Sequence, residues 1–184
     1  MDAITKSAEE RMTKSLAALD DDLAALRTGR ASAAMFDKIK ADYYGTPTPL
    51  SQVASISTPE PRLVVIQPWD KGSLQAIEKA IQSSELSLNP SNDGKVIRIN
   101  IPPLTEDRRK EIVKLAKNTG EQARVAIRNI RRDANDELKK AEKNGEISED
   151  ERKRGEDAIQ KLTDDFVENI NATLSRKESE ILEI

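Results

Sequence analysis

The sequence predicts an α+β fold in which three long helices form a bundle and a small domain of sheet and helix is inserted after the first helix. All eight prolines and four of the five aromatic residues lie between positions 36 and 103. Residues 1–30 and 105–184 contain no proline, which would interrupt a helix most strongly. Both segments also carry apolar residues at steps of three and four, the period of an amphipathic helix. We therefore assign 1–30 and 105–184 to the bundle domain and 31–104 to the inserted domain.

The first predicted helix runs to Arg27. Thr28 and Gly29 follow it, and glycine is the usual residue just beyond a helix C-terminus. The apolar stripe of this helix comprises Ile4, Ala8, Met12, Leu16, Leu19, Leu23 and Leu26.

The second predicted helix follows Thr105, a suitable N-cap, and ends at residues 144–145. Gly120 interrupts its pattern at a cost of about 1 kcal/mol relative to alanine, so the sequence predicts either a tolerated glycine or a bend. The apolar stripe comprises Ile112, Leu115, Ala116, Thr119, Ala123, Ala126, Ile127, Ile130, Ala134 and Leu138.

The third predicted helix begins with a capping box formed by Ser148 and Glu151. The short connection at 145–147 requires the second and third helices to be antiparallel. The apolar stripe of the third helix comprises Ile159, Leu162, Phe166, Ile170, Leu174 and Ile181.

The middle segment predicts a small open sheet covered by one short helix at 73–81. Residues 45–49 are predicted to form a rigid turn between strands. The strands are predicted at 39–43, 63–66 and 96–101, with 53–57 as a further candidate. For the aromatic residues Tyr43, Tyr44 and Trp69 the favoured interpretation is packing in the core or at a sheet edge, and stacking on nucleic-acid bases is the alternative.

Composition excludes several classes of function. The chain has no cysteine and no histidine, which removes disulfides, the usual zinc sites, cysteine nucleophiles and imidazole acid–base chemistry. Residues 20–22 are three consecutive aspartates, but neighbouring helical positions point in different directions and do not form a metal site. We therefore expect no catalytic residues, no metal and no cofactor. The absence of a membrane-length apolar stretch and of a signal peptide predicts a cytoplasmic protein.

Charge is unevenly distributed along the chain. Residues 105–145 hold twelve basic and eight acidic residues, whereas 146–184 hold six basic and twelve acidic ones. At 100° per residue, seven cations of the second helix share one side, which the periodicity places opposite its apolar stripe. We call these residues the basic face: Lys110, Lys114, Lys117, Arg124, Arg128, Arg131 and Arg132.

The basic face has two interpretations. A charged stripe opposite a core stripe is ordinarily just solvated. Its richness in arginine, which gives bidentate phosphate contacts, and its apparent shortage of acidic i,i+4 partners favour docking on RNA instead. The net charge of −3 argues against indiscriminate binding to nucleic acid, including DNA.

Four motifs resemble the bacterial ribosome recycling factor family, and they occur across the whole chain in the expected order. They are the segments 27–32 (RTGRAS), 43–50 (YYGTPTPL), 102–109 (PPLTEDRR) and 123–135 (ARVAIRNIRRDAN). This resemblance implies an L-shaped molecule with a three-helix bundle and an inserted β/α/β domain. It also implies a monomer that binds the large ribosomal subunit and its 23S rRNA after termination and, with the GTPase elongation factor G, splits the subunits without catalysing a reaction itself.

The resemblance also implies roles for particular residues. Arg128 and Arg131 would be the principal rRNA contacts, with Arg27 and Arg30 near the domain junction. The remaining rRNA-binding candidates come from the basic face: Lys110, Lys117, Arg124 and Arg132. A hinge is expected at Thr28, Gly29, Pro102 and Pro103, because glycine is permissive whereas proline fixes φ. The main alternative is a helical, coiled-coil-like adaptor without RNA affinity, and an enzyme is a more distant one.

Overall fold

The computed structural model describes residues 2–26 and 28–182, which form two compact units. The helical unit combines the N-terminal segment up to Thr28 with the C-terminal segment from Glu106. The inserted unit is Gly29–Thr105. The predicted α+β fold with long helices and a small sheet is confirmed.

The helical unit contains three helices, α1 (Asp2–Ala24), α3 (Glu106–Lys143) and α4 (Glu149–Leu182). The predicted end of the first helix at Arg27 is wrong, because α1 ends at Ala24, and Arg27 itself lies outside the described residues. The structure confirms the capping box: the Ser148 amide donates to Glu151 Oε2 at 2.8 Å, and the Glu151 amide donates to Ser148 Oγ at 3.2 Å.

The core of the helical unit is aliphatic, as the stripes predict. Leu115 is an exception, since it is 46% exposed. The stripe residues that are only partly buried are Ile4, Leu16, Leu26, Thr119, Ala126, Leu162 and Phe166. The buried cluster comprises Ala8, Met12, Leu19, Leu23, Ala116, Ala123, Ile127, Ile130, Ala134, Leu138, Ile159, Ile170 and Leu174.

Gly120 is required by the packing of α3 on α4. The α3 helix continues through this position, as the interpretation of a tolerated glycine expects, and the bend stays a prediction. A Cβ atom on Gly120 would lie 2.2 Å from Leu174 Cδ1, far inside van der Waals contact. The leucine occupies the space that a side chain would need, which adds a packing reason for glycine at this position.

The inserted unit consists of two antiparallel sheets and one α-helix. Its elements are β1 (Lys40–Tyr43), β2 (Thr46–Pro49), β3 (Ala54–Glu60), β4 (Leu63–Pro68), α2 (Leu74–Gln82), β5 (Pro90–Asn92) and β6 (Ile97–Asn100). Strands β1 and β2 form one sheet, and the other has the order β3-β4-β6-β5. The α2 helix buries Leu74, Ile77 and Ile81 in a core shared with these strands.

Two predictions for the inserted unit are wrong. Residues 45–49 do not form one rigid turn: Thr46–Pro49 is strand β2, and the turn is Tyr44–Gly45, with φ of 50° and 83°. Both strands of a two-stranded sheet are edge strands. The prolines of β2 are therefore tolerated, because β2 has no second neighbouring strand that would need their missing N–H groups. Packing in the core is wrong for Tyr44 and Trp69, which are 81% and 68% exposed, while Tyr43 is partly buried and its ring lies edge-on to that of Tyr44, with centroids 4.6 Å apart.

No helix within residues 2–26 and 28–182 is long and apolar enough to cross a membrane.

Candidate nucleic-acid interface

The α3 helix presents the basic face in two rows. Lys110, Lys117, Arg124 and Arg131 follow one another at intervals of seven residues, close to two helical turns, and form the inner row. Lys114, Glu121 and Arg128 have the same spacing and form the outer row. Arg132 is exposed beside the outer row.

Three members of the inner row lie along α4 rather than opposite the core. Lys117 Nζ is 3.7 Å from Glu178 Oε1, and Arg131 Nη1 donates to Gln160 Oε1 at 3.2 Å. Between them, Nε and Nη2 of Arg124 both donate to Asn171 Oδ1, at 3.0 and 2.8 Å. The predicted position opposite the apolar stripe is therefore wrong for Lys117, Arg124 and Arg131, which cover the seam between the two helices.

Acidic partners are more frequent in the basic face than the sequence indicates. Glu121 accepts from Nη1 of Arg124 at 3.0 Å and from Nη1 of Arg128 at 3.5 Å. Lys110 pairs with Glu106 at 2.8 Å. Among the described residues only the Lys110 pair of this face has i,i+4 spacing, so the expected shortage of such pairs is confirmed, and the other partners come at spacings that this expectation does not cover. The Arg124 side chain is 23% exposed, whereas that of Arg128 is 51% exposed.

Two cations of the basic face are less restrained than the others. Lys114 and Arg132 are exposed and make no ion pair with any described residue. The face thus combines exposed cations with arginines that the protein already holds in place. Phosphate groups bind well to such a surface, because guanidinium groups donate two parallel hydrogen bonds and long-range attraction adds to them.

A groove of about 420 Å³ opens within the basic face between α3 and α4. Lys117, Arg124, Asn171 and Glu178 supply polar groups to its walls, and Leu174 supplies an apolar surface. At this groove Leu174 of α4 packs directly against α3 at Gly120, which has no side chain.

The predicted hinge residues lie where the chain enters and leaves the inserted unit. Thr28 is buried, Gly29 has a φ of 75°, and both Pro102 and Pro103 are exposed. A Cβ atom on Gly29 would lie 2.9 Å from Leu104 Cγ, so the close approach and the positive φ both require glycine.

Both connections are anchored to the turn between β3 and β4. The Ala31 amide donates to the Pro61 carbonyl at 2.7 Å, and the Ile101 amide donates to the Arg62 carbonyl at 2.8 Å. Arg30, next to the first anchor, is exposed, while Arg27 lies outside the described residues. Sequence reasoning missed these anchors because they join residues about 30 and 40 positions apart.

Sequence reasoning also missed Asn171 and Gln160, the two amide residues of α4 that hold arginines of the basic face. Uncharged residues on an exposed helix give no compositional signal. Only the packing of α3 against α4 reveals them. Among the described residues, no group of three acidic side chains converges as a metal site would require.

Comparison with known proteins identifies relatives over the whole chain. The profile of the family described as "Ribosome recycling factor" matches residues 19–182. The ribosome-recycling factor of Oleidesulfovibrio alaskensis is 57% identical over 184 residues, covering all of both chains. That of Brevibacillus brevis is 58% identical over 96% of this chain and 95% of its own.

Two solved structures resemble the fold. A solution structure of the ribosome recycling factor is 45% identical, covers 100% of this chain and 97% of its own, and gives a TM-score of 0.77. A second structure is 50% identical, covers 98% of each chain and gives a TM-score of 0.65. Its description reads "Models for the T. thermophilus ribosome recycling factor and the E. coli elongation factor G bound to the E. coli post-termination complex".

Proposed function

This chain belongs to the ribosome recycling factor family, and from that premise we propose that it binds the post-termination ribosome and, with elongation factor G, splits it to release mRNA and tRNA. The observation that carries the proposal is full-length similarity, 57% identity over every residue of both chains. The related structure described with elongation factor G on the post-termination complex, 50% identical to this chain, supports the choice of partners. The site of action is the cytoplasm, where bacterial ribosomes work.

The basic face is the proposed contact with 23S rRNA of the large subunit. Arg128 and Arg131 are the principal contacts, and exposed Lys114 and Arg132 add long-range attraction. Lys110, Lys117 and Arg124 extend the contact along α3. Arg30 is a further candidate beside the hinge, and Arg27 remains one from sequence alone. The geometry supports this proposal because cations spaced along one helix can follow a phosphate backbone.

The protein is proposed to act mechanically and to catalyse no reaction. The free energy for splitting comes from GTP hydrolysis by the partner, and the inserted unit receives the force. The hinge at Thr28, Gly29, Pro102 and Pro103 allows this movement. The anchors to the β3–β4 turn support such a role, because they confine a change in φ and ψ to the few residues outside them.

The test is cosedimentation with 50S subunits over a salt series. We expect Arg131→Ala and Arg128→Ala each to weaken binding about 10-fold, ~1.4 kcal/mol, because each removes a charge-assisted contact. Each should also reduce the log–log salt slope by about 0.7 to 0.9. Arg176→Ala is the matched control, because Arg176 is also exposed and lies on α4 about 140° around the helix axis from Asn171, which contacts α3.

The hinge is tested with Gly29→Ala in the same assays. We expect nearly unchanged 50S binding, because α3 makes the contact, and slower splitting by elongation factor G and GTP, because a Cβ would press on Leu104.

Two outcomes would contradict these proposals separately. Wild-type binding by both Arg128→Ala and Arg131→Ala at every salt concentration would show that the basic face is merely solvated. Splitting at the wild-type rate by Gly29→Ala would contradict the hinge role and would leave the rRNA contact unaffected.

A further inference from the structure

We propose that Asn171 and Gln160 of α4 are positioning residues, which orient Arg124 and Arg131 for rRNA without adding negative charge beside them. The inference rests on the proposed function, since it assigns a role within the same basic face. The central point is that the groups of α4 that accept hydrogen bonds from these arginines are neutral amides and not carboxylates. A neutral amide restrains a guanidinium as a carboxylate does, but it does not neutralise it.

The geometry at Arg124 is nearly complete before any RNA binds. Asn171 Oδ1 accepts from Nε at 3.0 Å and from Nη2 at 2.8 Å, and Glu121 Oε2 accepts from Nη1 at 3.0 Å. Three of the five guanidinium N–H groups are thereby engaged, which fixes the plane of the group. One N–H on each Nη atom remains for a phosphate oxygen.

The geometry at Arg131 follows the same principle through a two-step chain. Nη1 of Arg131 donates to Gln160 Oε1 at 3.2 Å, and Gln160 Nε2 donates to Asp164 Oδ1 at 2.9 Å. The amide group therefore separates the carboxylate of Asp164 from the guanidinium. Asp164 orients the glutamine, and the glutamine presents only its neutral oxygen to Arg131.

Arginines elsewhere in the chain are held differently. Arg11 pairs with Asp133 at 3.0 Å, Arg98 with Asp93 at 2.7 Å, and Arg152 with Glu156 at 2.7 Å. A carboxylate partner reduces the net charge that a phosphate would meet. Arg124 itself also pairs with Glu121, so Arg124 and Arg131 differ from these arginines in having an added neutral acceptor, which restrains the guanidinium without a further negative charge.

The two amides lie on the side of α4 that faces α3. Residues 160 and 171 are eleven positions apart, close to three helical turns, so their side chains share one direction. Holding the long arginine side chains in the free protein lowers the conformational entropy that would be lost on binding RNA. The planar guanidinium benefits most, because its bidentate contacts depend on orientation.

The experiment compares two substitutions of Asn171 in 50S cosedimentation over a salt series, using the full chain. Asn171→Ala removes the acceptor and leaves the charge of Arg124, so we expect about 3- to 10-fold weaker binding with an unchanged salt slope. Asn171→Asp keeps an acceptor of the same shape but places a second carboxylate beside Arg124, in addition to Glu121. We expect it to reduce the slope by about 0.7 to 0.9, with the largest loss of affinity at low salt. Gln160→Ala and Gln160→Glu should repeat the pattern at Arg131.

Asn169→Asp is the matched control. It adds the same charge to the same helix, but its position is 200° around the axis from Asn171, so near wild-type binding is expected. Helical melting curves establish that each variant is folded.

The outcomes separate the two levels of the proposal. If Arg124→Ala weakens binding while Asn171→Ala and Asn171→Asp both bind as wild type, the positioning role is wrong and the basic face stands. An equal fall in slope for both substitutions also overturns it, because the neutrality of the amide would then be irrelevant. If Arg124→Ala, Arg128→Ala and Arg131→Ala all bind as wild type, the proposed rRNA contact itself fails.

Discussion

The helical unit and the inserted unit bury similar aliphatic residues but encode their folds differently. On α3 the buried positions recur every three or four residues, so the pattern that directs packing lies within one segment. In the inserted unit β4 pairs with β6, and Val64 lies opposite Ile99, 35 positions later in the sequence. One unit can therefore be inferred from local period, whereas the other depends on which distant strands meet.

This difference has an energetic side. The helical unit relies on close approach of helices through small residues, including Ala116, Gly120 and Ala123. The inserted unit fills one compact cluster with larger residues, including Phe36, Ile66 and Ile77. Each unit thus has a core of its own, and each should respond separately to a cavity.

The largest predicted effect tests that separation with two equivalent truncations. Ile127→Ala in α3 and Ile77→Ala in α2 each remove a fully buried side chain, so each should lower the free energy of unfolding of its own unit by about 2–5 kcal/mol. Hydrogen exchange followed by mass spectrometry should show faster exchange only in the unit that carries the substitution. Circular dichroism should show an earlier helical melt for Ile127→Ala.

Leu115→Ala provides the control for the first prediction. Leu115 is 46% exposed on the same helix, so its truncation should change stability by no more than about 0.5 kcal/mol. Faster exchange in α4 caused by Ile77→Ala would break the comparison, because the two units would then unfold as one.

The sequence predicts the long helices well because their signals are local. The Ser148 capping box places the start of α4 within one residue, and the absence of proline permits the full length of α3. Strand β2 escapes prediction because prolines at 47 and 49 ordinarily indicate a turn, and only its pairing with β1 makes it a strand. The exposure of Tyr44 and Trp69 could not be predicted, because it depends on how the two sheets are arranged.

The candidate site is predictable to a similar extent. The helical period places the cations of the basic face on one side of α3, and the structure keeps them there. Their acceptors on α4 are not predictable, since Asn171 is 47 positions away from Arg124. Glu121 was visible in the sequence, but its two contacts depend on side-chain conformations that spacing does not determine.

A smaller effect sharpens the comparison by opposing local propensity to packing. Replacing Gly120 by alanine should stabilise an isolated helix by about 1 kcal/mol. In the helical unit the new Cβ would lie 2.2 Å from Leu174 Cδ1, and such overpacking costs about 1–3 kcal/mol. We expect a net loss of up to about 2 kcal/mol, measured by urea unfolding.

A double-mutant cycle with Leu174→Ala supplies the control for Gly120→Ala. The second substitution removes the atoms that clash, so Gly120→Ala should be neutral or stabilising in that background. If Gly120→Ala already stabilises the otherwise unchanged protein, local propensity governs this contact and the account of the packing is wrong.

The smallest predicted effect concerns a purely local signal, the capping box of α4. Ser148→Ala removes the hydroxyl that accepts from the Glu151 amide, so it should lower the free energy of unfolding by about 1 kcal/mol, measured by urea unfolding at pH 7. Ser175→Ala is the control, because the same change at an exposed position inside α4 should be neutral or slightly stabilising. Equal effects of the two substitutions would show that the cap contributes nothing.

The same cap gives the helical unit a dependence on pH. The hydrogen bond from the Ser148 backbone amide holds the pKa of Glu151 below its ordinary value of 4.5, with a further contribution from the Ser148 side chain. A lowered pKa means that the folded state favours the carboxylate, so this stabilisation is complete above pH 4.5 and is lost as the pH falls through the lowered pKa. Glu151→Gln removes that titration while keeping a side-chain oxygen that can accept from the Ser148 amide. Its stability should therefore fall less than that of the wild-type protein between pH 5 and the lowered pKa of Glu151, which a series of urea titrations can measure; identical acid profiles would exclude the carboxylate as the source of the dependence.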